Sequence, residues 1–148
     1  MLFRSRANFR RLMAMVSSMN PVLIPQLRGK RSMIFVGNLV DFLTVCCSHP
    51  SAGGQLFLVS DNEDVSVSDL MQRLAHTMKR RSLRIPLPEG MLRLAARVLG
   101  KEQEMRRLMD PLTISPAKAM KVLGWRPPFD LNTGLARTVE AWLASKTR

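Results

Sequence analysis

Apolar residues recur along the chain mostly at the 3.6-residue spacing of helices, with a few short unbroken runs between them. Phe9, Leu12, Met13 and Val16 fall at i, i+3, i+4 and i+7, which predicts a helix with one buried face. It should stop near Asn20-Pro21, because the residue before a proline is pushed out of the helical region. Val22-Leu23-Ile24 is an apolar run closed by Pro21 and Pro25 and reads as a short extended segment, and Leu27 to Arg31 as a basic loop around Gly29. Met33 to Val36 and Leu56 to Val59 read as buried strands, the second the clearer. Between them a helix opens at Gly37-Asn38, with Leu39, Val40, Leu43, Cys46 and Cys47 as its apolar face and His49-Pro50 as its end.

The second half is more helical. Ser66 followed by Asp69 is a capping box with Asp in place of the usual Glu. Leu70, Met71, Leu74, Ala75 and Met78 then share one helical face. Ser82 to Ile85 is a third short strand, closed by Pro86 and Pro88. Met91, Leu92, Ala95, Val98 and Leu99 mark another helix ended by Gly100, and Lys101 to Met109 a charged one. Ser115-Pro116 starts a helix as polar cap and first-position proline, and Gly124 ends it. Trp125, directly after Gly124, should pack over the end of that helix. Leu131, Leu135, Val139, Trp142 and Leu143 form the last amphipathic helix. Helices with a few short strands predict an α/β class, with too few strands for a complete doubly wound sheet.

With 148 residues, this pattern fits a single domain spanning residues 1–148. A hydrophobic fraction of 46% suits a globular chain rather than a disordered one, and no apolar run reaches the ~18 residues of a membrane span. The net charge of +12 changes the picture, because it raises nucleic acid, anionic membranes and phosphorylated ligands as partners. No acidic residue precedes Asp41, whereas Arg4, Arg6, Arg10, Arg11, Arg28, Lys30 and Arg31 do; Lys79, Arg80, Arg81 and Arg84 form a second cluster. The adjacent Cys46 and Cys47 make no disulfide framework and point to a reducing compartment.

Candidate chemistry is sparse. His49 and His76 have no partner at ligand spacing, so no metal site is expected. No three of the eight glycines have the close spacing of a dinucleotide-binding loop. There is no tyrosine, which excludes a tyrosine acid/base within this chain. Anion recognition remains: Arg31 stands at the end of a loop where a guanidinium can grip a diphosphate, and Arg106-Arg107 can add a second hand.

Three segments together resemble one family. Arg31 to Asp41 (RSMIFVGNLVD) resembles the R-x-x-x-x-V-x-D-L segment of extended short-chain dehydrogenase/reductases of the UDP-glucose 4-epimerase kind. Phe57 to Asp61 with Val65 to Leu70 is similar to that family's strand, loop and S-x-x-E-L helix start. Lys118 to Pro128 (KAMKVLGWRPP) is similar to its K-x-x-x-x-LGW-x-P near the C-terminus. The order and spacing match over nearly the whole chain. Asn38 stands where the family has aspartate, Ser115 replaces another aspartate, and Pro25 stands where glycine is common.

The resemblance implies the C-terminal, substrate-binding part of an NAD-dependent epimerase/dehydratase: a partial extended fold lacking the N-terminal Rossmann sheet. By it, Asn8 and Phe9 contact the sugar nucleotide, Val22, Leu23 and Ile24 run beside the base, Arg31 holds the diphosphate and Arg107 assists. It also favours a helix over an organellar transit peptide for the Arg-rich residues 1–18. The family's glycine-rich T-G-x-x-G-x-x-G and Tyr-x-x-x-Lys are missing, so no catalytic or cofactor-binding residue is expected, and NAD belongs to the intact enzyme only. The expected partners are a UDP-sugar and a Rossmann domain, in the cytoplasm, with the chain inactive alone. The alternatives are a non-catalytic nucleotide-sugar-binding module and a basic nucleic-acid-binding protein. The scarcity of aromatic residues to stack bases weighs against the latter.

Overall fold

The proline at position 21 closes the first helix as the sequence requires. In the computed structural model, which describes residues 6–87, 89–100 and 102–146, α1 runs Arg6–Ser18. After it come β1 (Val22–Pro25), β2 (Lys30–Ser32), α2 (Val36–Ser48), a 3-10 turn (Pro50–Ala52), β3 (Asp64–Ser66) and α3 (Val67–Thr77). The chain continues through β4 (Ser82–Ile85), α4 (Glu89–Val98), α5 (Glu102–Met109), α6 (Ala117–Leu123) and α7 (Leu131–Ala144). β1 pairs with β4 in parallel and β2 with β3, giving two two-stranded sheets among the described residues. The fold is therefore α/β with short strands, as the pattern predicts. Its residues gather in two compact units, Met1–Arg31 with Val65–Leu112, and Ser32–Asp64 with Thr113–Arg148.

In the first unit, α1 and α3 pack together and α3 lies against β1. The predicted faces do this: Met13 and Val16 from α1 and Leu70, Met71, Leu74 and Ala75 from α3 are buried. β1 alternates, with Val22 and Ile24 buried and Leu23 exposed, the period-2 pattern of a strand covered on one side. Burying Val22 and Ile24 stabilises the unit by about 1.5–3 kcal/mol each. Ser66 caps α3, accepting from the Asp69 amide at 3.0 Å while its hydroxyl donates to the Asp69 carboxylate at 2.8 Å. The Ser66 half of the capping box is thus formed, and the Asp69 carboxylate takes the Ser66 hydroxyl.

The second unit is organised around the start of α2. Asn38 is fully buried, and its amide donates to Asp61 Oδ1 at 2.6 Å and to the Phe129 carbonyl at 2.8 Å. Its carbonyl accepts from the Phe129 amide at 3.0 Å. The Asp61 carboxylate also accepts from the Phe35 amide, at 2.9 and 3.0 Å. One side chain thus joins a helix N-terminus, a loop and a distant turn. Next to it, Phe42, Ala119, Leu123 and Trp125 form the core, packed by Ile34, Val45, Phe57 and Val59. Gly124 ends α6 in the left-handed conformation, φ 62°, which costs glycine nothing. Trp125 closes over it, 4% exposed, edge-on to Phe42, with its indole N–H on Asp41 at 2.8 Å.

Three expectations are corrected. Met33 to Val36 and Leu56 to Val59 are not strands: Met33 to Phe35 is irregular, Val36 already belongs to α2, and Leu56 to Val59 is irregular throughout. Leu56 to Val59 keeps a strand's alternation, with Phe57 and Val59 packed inward and Leu56 and Leu58 exposed at 79% and 53%. The residue types suit a strand, but no ladder includes them. Second, α2 does not bury Val40 and Leu43, which are exposed. The helix is apolar around much of its circumference, so spacing alone cannot choose a face. The partners demanded by the Asn38 amide rotate Asn38 and Phe42 inward instead. Third, the cap of α6 is Pro116 rather than Ser115, one residue later than expected. The Ser115 hydroxyl accepts from the Ala117 amide at 3.3 Å.

Burial pushes the Asp61 carboxyl above its ordinary value, a shift helped by Glu63 and opposed by the Asn38 and Phe35 donors. The folded chain therefore binds this proton more tightly than the unfolded chain. The stabilisation it gives is full below the unfolded carboxylate range and is lost as pH rises through the raised folded value. Asn38→Asp would set a second carboxylate against Asp61 and remove a donor. It is expected to cost about 2–3 kcal/mol near pH 7 and to recover much of that on acidification, in melts recorded from pH 4 to 7. Trp125→Ala is expected to cost about 3–5 kcal/mol in denaturant titrations.

Candidate functional site

The residues named from sequence as ligand contacts all fall in the first unit. β1 sets three of them. Parallel pairing places Val22 opposite Ser82, Leu23 opposite Leu83 and Ile24 opposite Arg84. The Val22 and Ile24 side chains are buried, so what they offer a ligand is backbone. Leu23 and Leu83, 40% and 56% exposed, form the open side of the pair. Phe9 is half-buried on α1. The side chains of Asn8 and Arg107 lie outside the described residues, although their backbones belong to α1 and α5.

Arg31 is the distinctive group. Its backbone forms a parallel bridge to Leu112, and the Leu112 amide donates to the Lys30 carbonyl at 2.9 Å. The loop leading to it is held by a residue that sequence reading did not single out. Ser68, buried in the first turn of α3, accepts from the Leu27 amide at 2.7 Å and donates to the Pro25 carbonyl at 2.5 Å. The signal available was its place inside the Ser66–Asp69 capping box. With its backbone fixed on one side by Ser68 and on the other by Leu112, the Arg31 side chain presents a buried Nε that has no hydrogen-bond partner. A buried donor left unpaired costs about 1–3 kcal/mol. An anionic oxygen would satisfy it.

The other basic residues are used differently. Arg84 is held by Asp69 at 3.2 Å and by the Gln72 carbonyl, and Arg106 pairs weakly with Glu102 at 3.8 Å on an exposed helix face. Arg106 is therefore turned along its own helix. In the second unit, Lys118 donates to the Leu56 carbonyl at 2.9 Å, and Arg137 lies over the Phe129 ring at 4.2 Å.

Among the described residues, the cysteines and histidines are not set for nucleophilic attack or proton transfer. Burial and the neighbouring Cys47 push the Cys46 thiol up, away from the thiolate. His49 Nδ1 accepts from the Ser51 amide at 3.2 Å as a turn cap, and His76 is exposed. No group of three His, Cys, Asp or Glu suited to a metal occurs among the described residues. The residues do not fit a dinucleotide either. The glycines with positive φ, Gly54, Gly100 and Gly124, stand singly after a turn or helix rather than in one strand-to-helix loop.

The chain is 34% identical over 144 residues to a UDP-glucose 4-epimerase from Vibrio cholerae, covering 97% of this chain and 44% of that protein. It is 24% identical to an N-acetyl-α-D-glucosaminyl-diphospho-ditrans,octacis-undecaprenol 4-epimerase from Escherichia coli O157:H7, covering 93% of this chain and 45% of that one. It thus spans less than half the length of these curated relatives. Its fold resembles Pal from Bacillus thuringiensis (TM-score 0.60, 17% identity, 92% of this chain and 38% of that one). It also resembles a dTDP-glucose 4,6-dehydratase from Bacillus anthracis in complex with NAD (TM-score 0.60, 11% identity, 91% and 38%). No family model matches the chain. These findings agree with the resemblance read from the sequence: the chain is similar to somewhat less than half of two sugar 4-epimerases, and its fold is that of part of a dehydratase.

An unpartnered buried donor is a liability to the fold. Arg31→Met keeps the stem and removes the guanidinium. Thermal unfolding of the ligand-free variant is expected to show unchanged or raised stability. A loss above about 1 kcal/mol would mean that the guanidinium serves the fold.

Proposed function

We propose that this relative of the epimerases and dehydratases holds the diphosphate of a nucleotide sugar at Arg31. On this reading it supplies the substrate side of an NAD-dependent reaction whose cofactor and acid/base groups come from other residues. The observation that carries it is the buried, unpartnered Arg31 Nε. The names of both curated relatives describe a sugar joined to a diphosphate, once through UDP and once through a lipid diphosphate. An arginine fork is the side chain best matched to that shared group.

We assign the remaining residues the roles that the family resemblance implies. Backbone along Val22 to Ile24, with Leu23 on the open side, lines the path for a base. Asn8 and Arg107, on α1 and α5, are assigned to the sugar nucleotide and the diphosphate. NAD supplies hydride acceptance and return when bound in the intact enzyme. This chain contributes binding and orientation of the substrate, and lacks both the glycine loop and any tyrosine to take a hydroxyl proton. The chain alone is accordingly inactive, and in this form it acts as a nucleotide-sugar-binding module. The two free thiols, Cys46 and Cys47, suit the reducing cytoplasm in which such substrates are used.

Calorimetry on the purified chain tests this. UDP-sugars are expected to bind weakly, NAD not specifically, and Arg31→Ala to weaken UDP-sugar binding by about 1.5–3 kcal/mol. Tight NAD binding, or turnover without added protein, would overturn the proposal.

A further inference from the structure

A single buried hydroxyl on α3 closes a turn that belongs to another part of the chain. Ser68 Oγ accepts from the Leu27 amide at 2.7 Å, and its proton is shared between the Pro25 carbonyl at 2.5 Å and the Leu27 carbonyl at 3.2 Å. The Leu27 amide also reaches the Pro25 carbonyl, at 3.1 Å, so residues 25–27 form a tight turn that Ser68 grips at both ends. None of these bonds is internal to α3. Ser66 caps that helix, and alanine in place of Ser68 would suit a helical position better.

The turn stands where β1 stops. Pro25 is the last residue in register with β4, opposite Ile85; its ring fixes φ and leaves no amide for a ladder. Residues 26–29 then lead to Lys30 and Arg31, and that end of the connection is tied to Leu112. All of these residues lie in the first unit. The connection is thus pinned by Ser68 where it starts and by Leu112 where it ends, with the Leu27 side chain buried near its start.

Both anchors bear on Arg31. Its buried Nε has no partner, and a mobile connection would let the guanidinium swing into water, where that donor would be satisfied. A connection held at both ends opposes this and keeps the group where a ligand must meet it. We propose that Ser68 is a positioning residue for ligand binding: through the turn at residues 25–27 it holds Arg31 ready for a diphosphate without touching the ligand. The inference rests on the reading of Arg31 given above. A loop ordered before the ligand arrives removes an ordering cost that would otherwise be subtracted from affinity.

Calorimetry with UDP-glucose and amide hydrogen exchange followed by NMR, both on the full chain, test this. In Ser68→Ala the Leu27 amide is expected to exchange at least about tenfold faster, with the amides of Leu74 and Ala75 in α3 unchanged. UDP-glucose affinity is expected to fall about three- to tenfold. Ser68→Thr keeps the hydroxyl and is expected to restore most of both. Faster exchange throughout α3 in Ser68→Ala would make the hydroxyl a general support of the fold and overturn the proposal. Equal losses in Ser68→Thr, or unchanged Leu27 exchange in Ser68→Ala, would do the same. Unchanged binding in Ser68→Ala beside weakened binding in Arg31→Ala would overturn this inference and leave the reading of Arg31 standing. Absence of UDP-glucose binding by the parent chain would overturn both.

Discussion

Buried backbone must find hydrogen-bond partners, and strands of three and four residues supply few of them. Side chains take up that duty in both units. In one, the Ser68 hydroxyl bonds the Leu27 amide and the Pro25 carbonyl, where β1 gives way to a loop. In the other, the Asn38 amide serves Asp61 and both backbone groups of Phe129. Because the Asn38 carboxamide both donates and accepts, it can join a carboxylate to a peptide group. An aspartate there would meet Asp61 with charge of the same sign. Asparagine at position 38 therefore suits the acid at position 61.

What the sequence discloses follows from distance along the chain. The Ser66–Asp69 box, the Gly124 cap and the Trp125 that closes on it are local, and each reads correctly because the partners are within a few residues. The Asn38 network joins positions 38, 61 and 129, and nothing in the spacing of apolar residues announces it. Its absence from the sequence reading is also why the wrong face of α2 was expected inside. Leu56 to Val59 shows a different limit. Residue type reports that a segment prefers to be extended, whereas a strand also needs a neighbour to bond with, and that is a property of another part of the chain.

The site divides in the same way. Arg31 stands out in the sequence by its position before an apolar run, but only the fold reveals that its Nε is buried without a partner. Ser68, which fixes the loop before it, looks in sequence like one more polar residue at a helix start. The apolar period of α4 reads from the sequence as Met91, Leu92, Ala95, Val98 and Leu99, but its orientation does not, and Met91, Val98 and Leu99 are exposed. The sum of +12 is likewise visible at once, while its confinement to one unit emerges only when residues distant in sequence are gathered by the fold.

Lys118 acquires a meaning from the company it keeps. Its ammonium group sits on the Leu56 carbonyl at 2.9 Å and 5.3 Å from the centre of the Phe57 ring. It therefore stands at the mouth of an extended, partly apolar segment that belongs to no ladder. Such a segment is a template on which a strand from another molecule can grow, and natural proteins blunt templates of this kind with a lysine. The side chain occupies one of the acceptors an incoming strand would need and places a charge in its path.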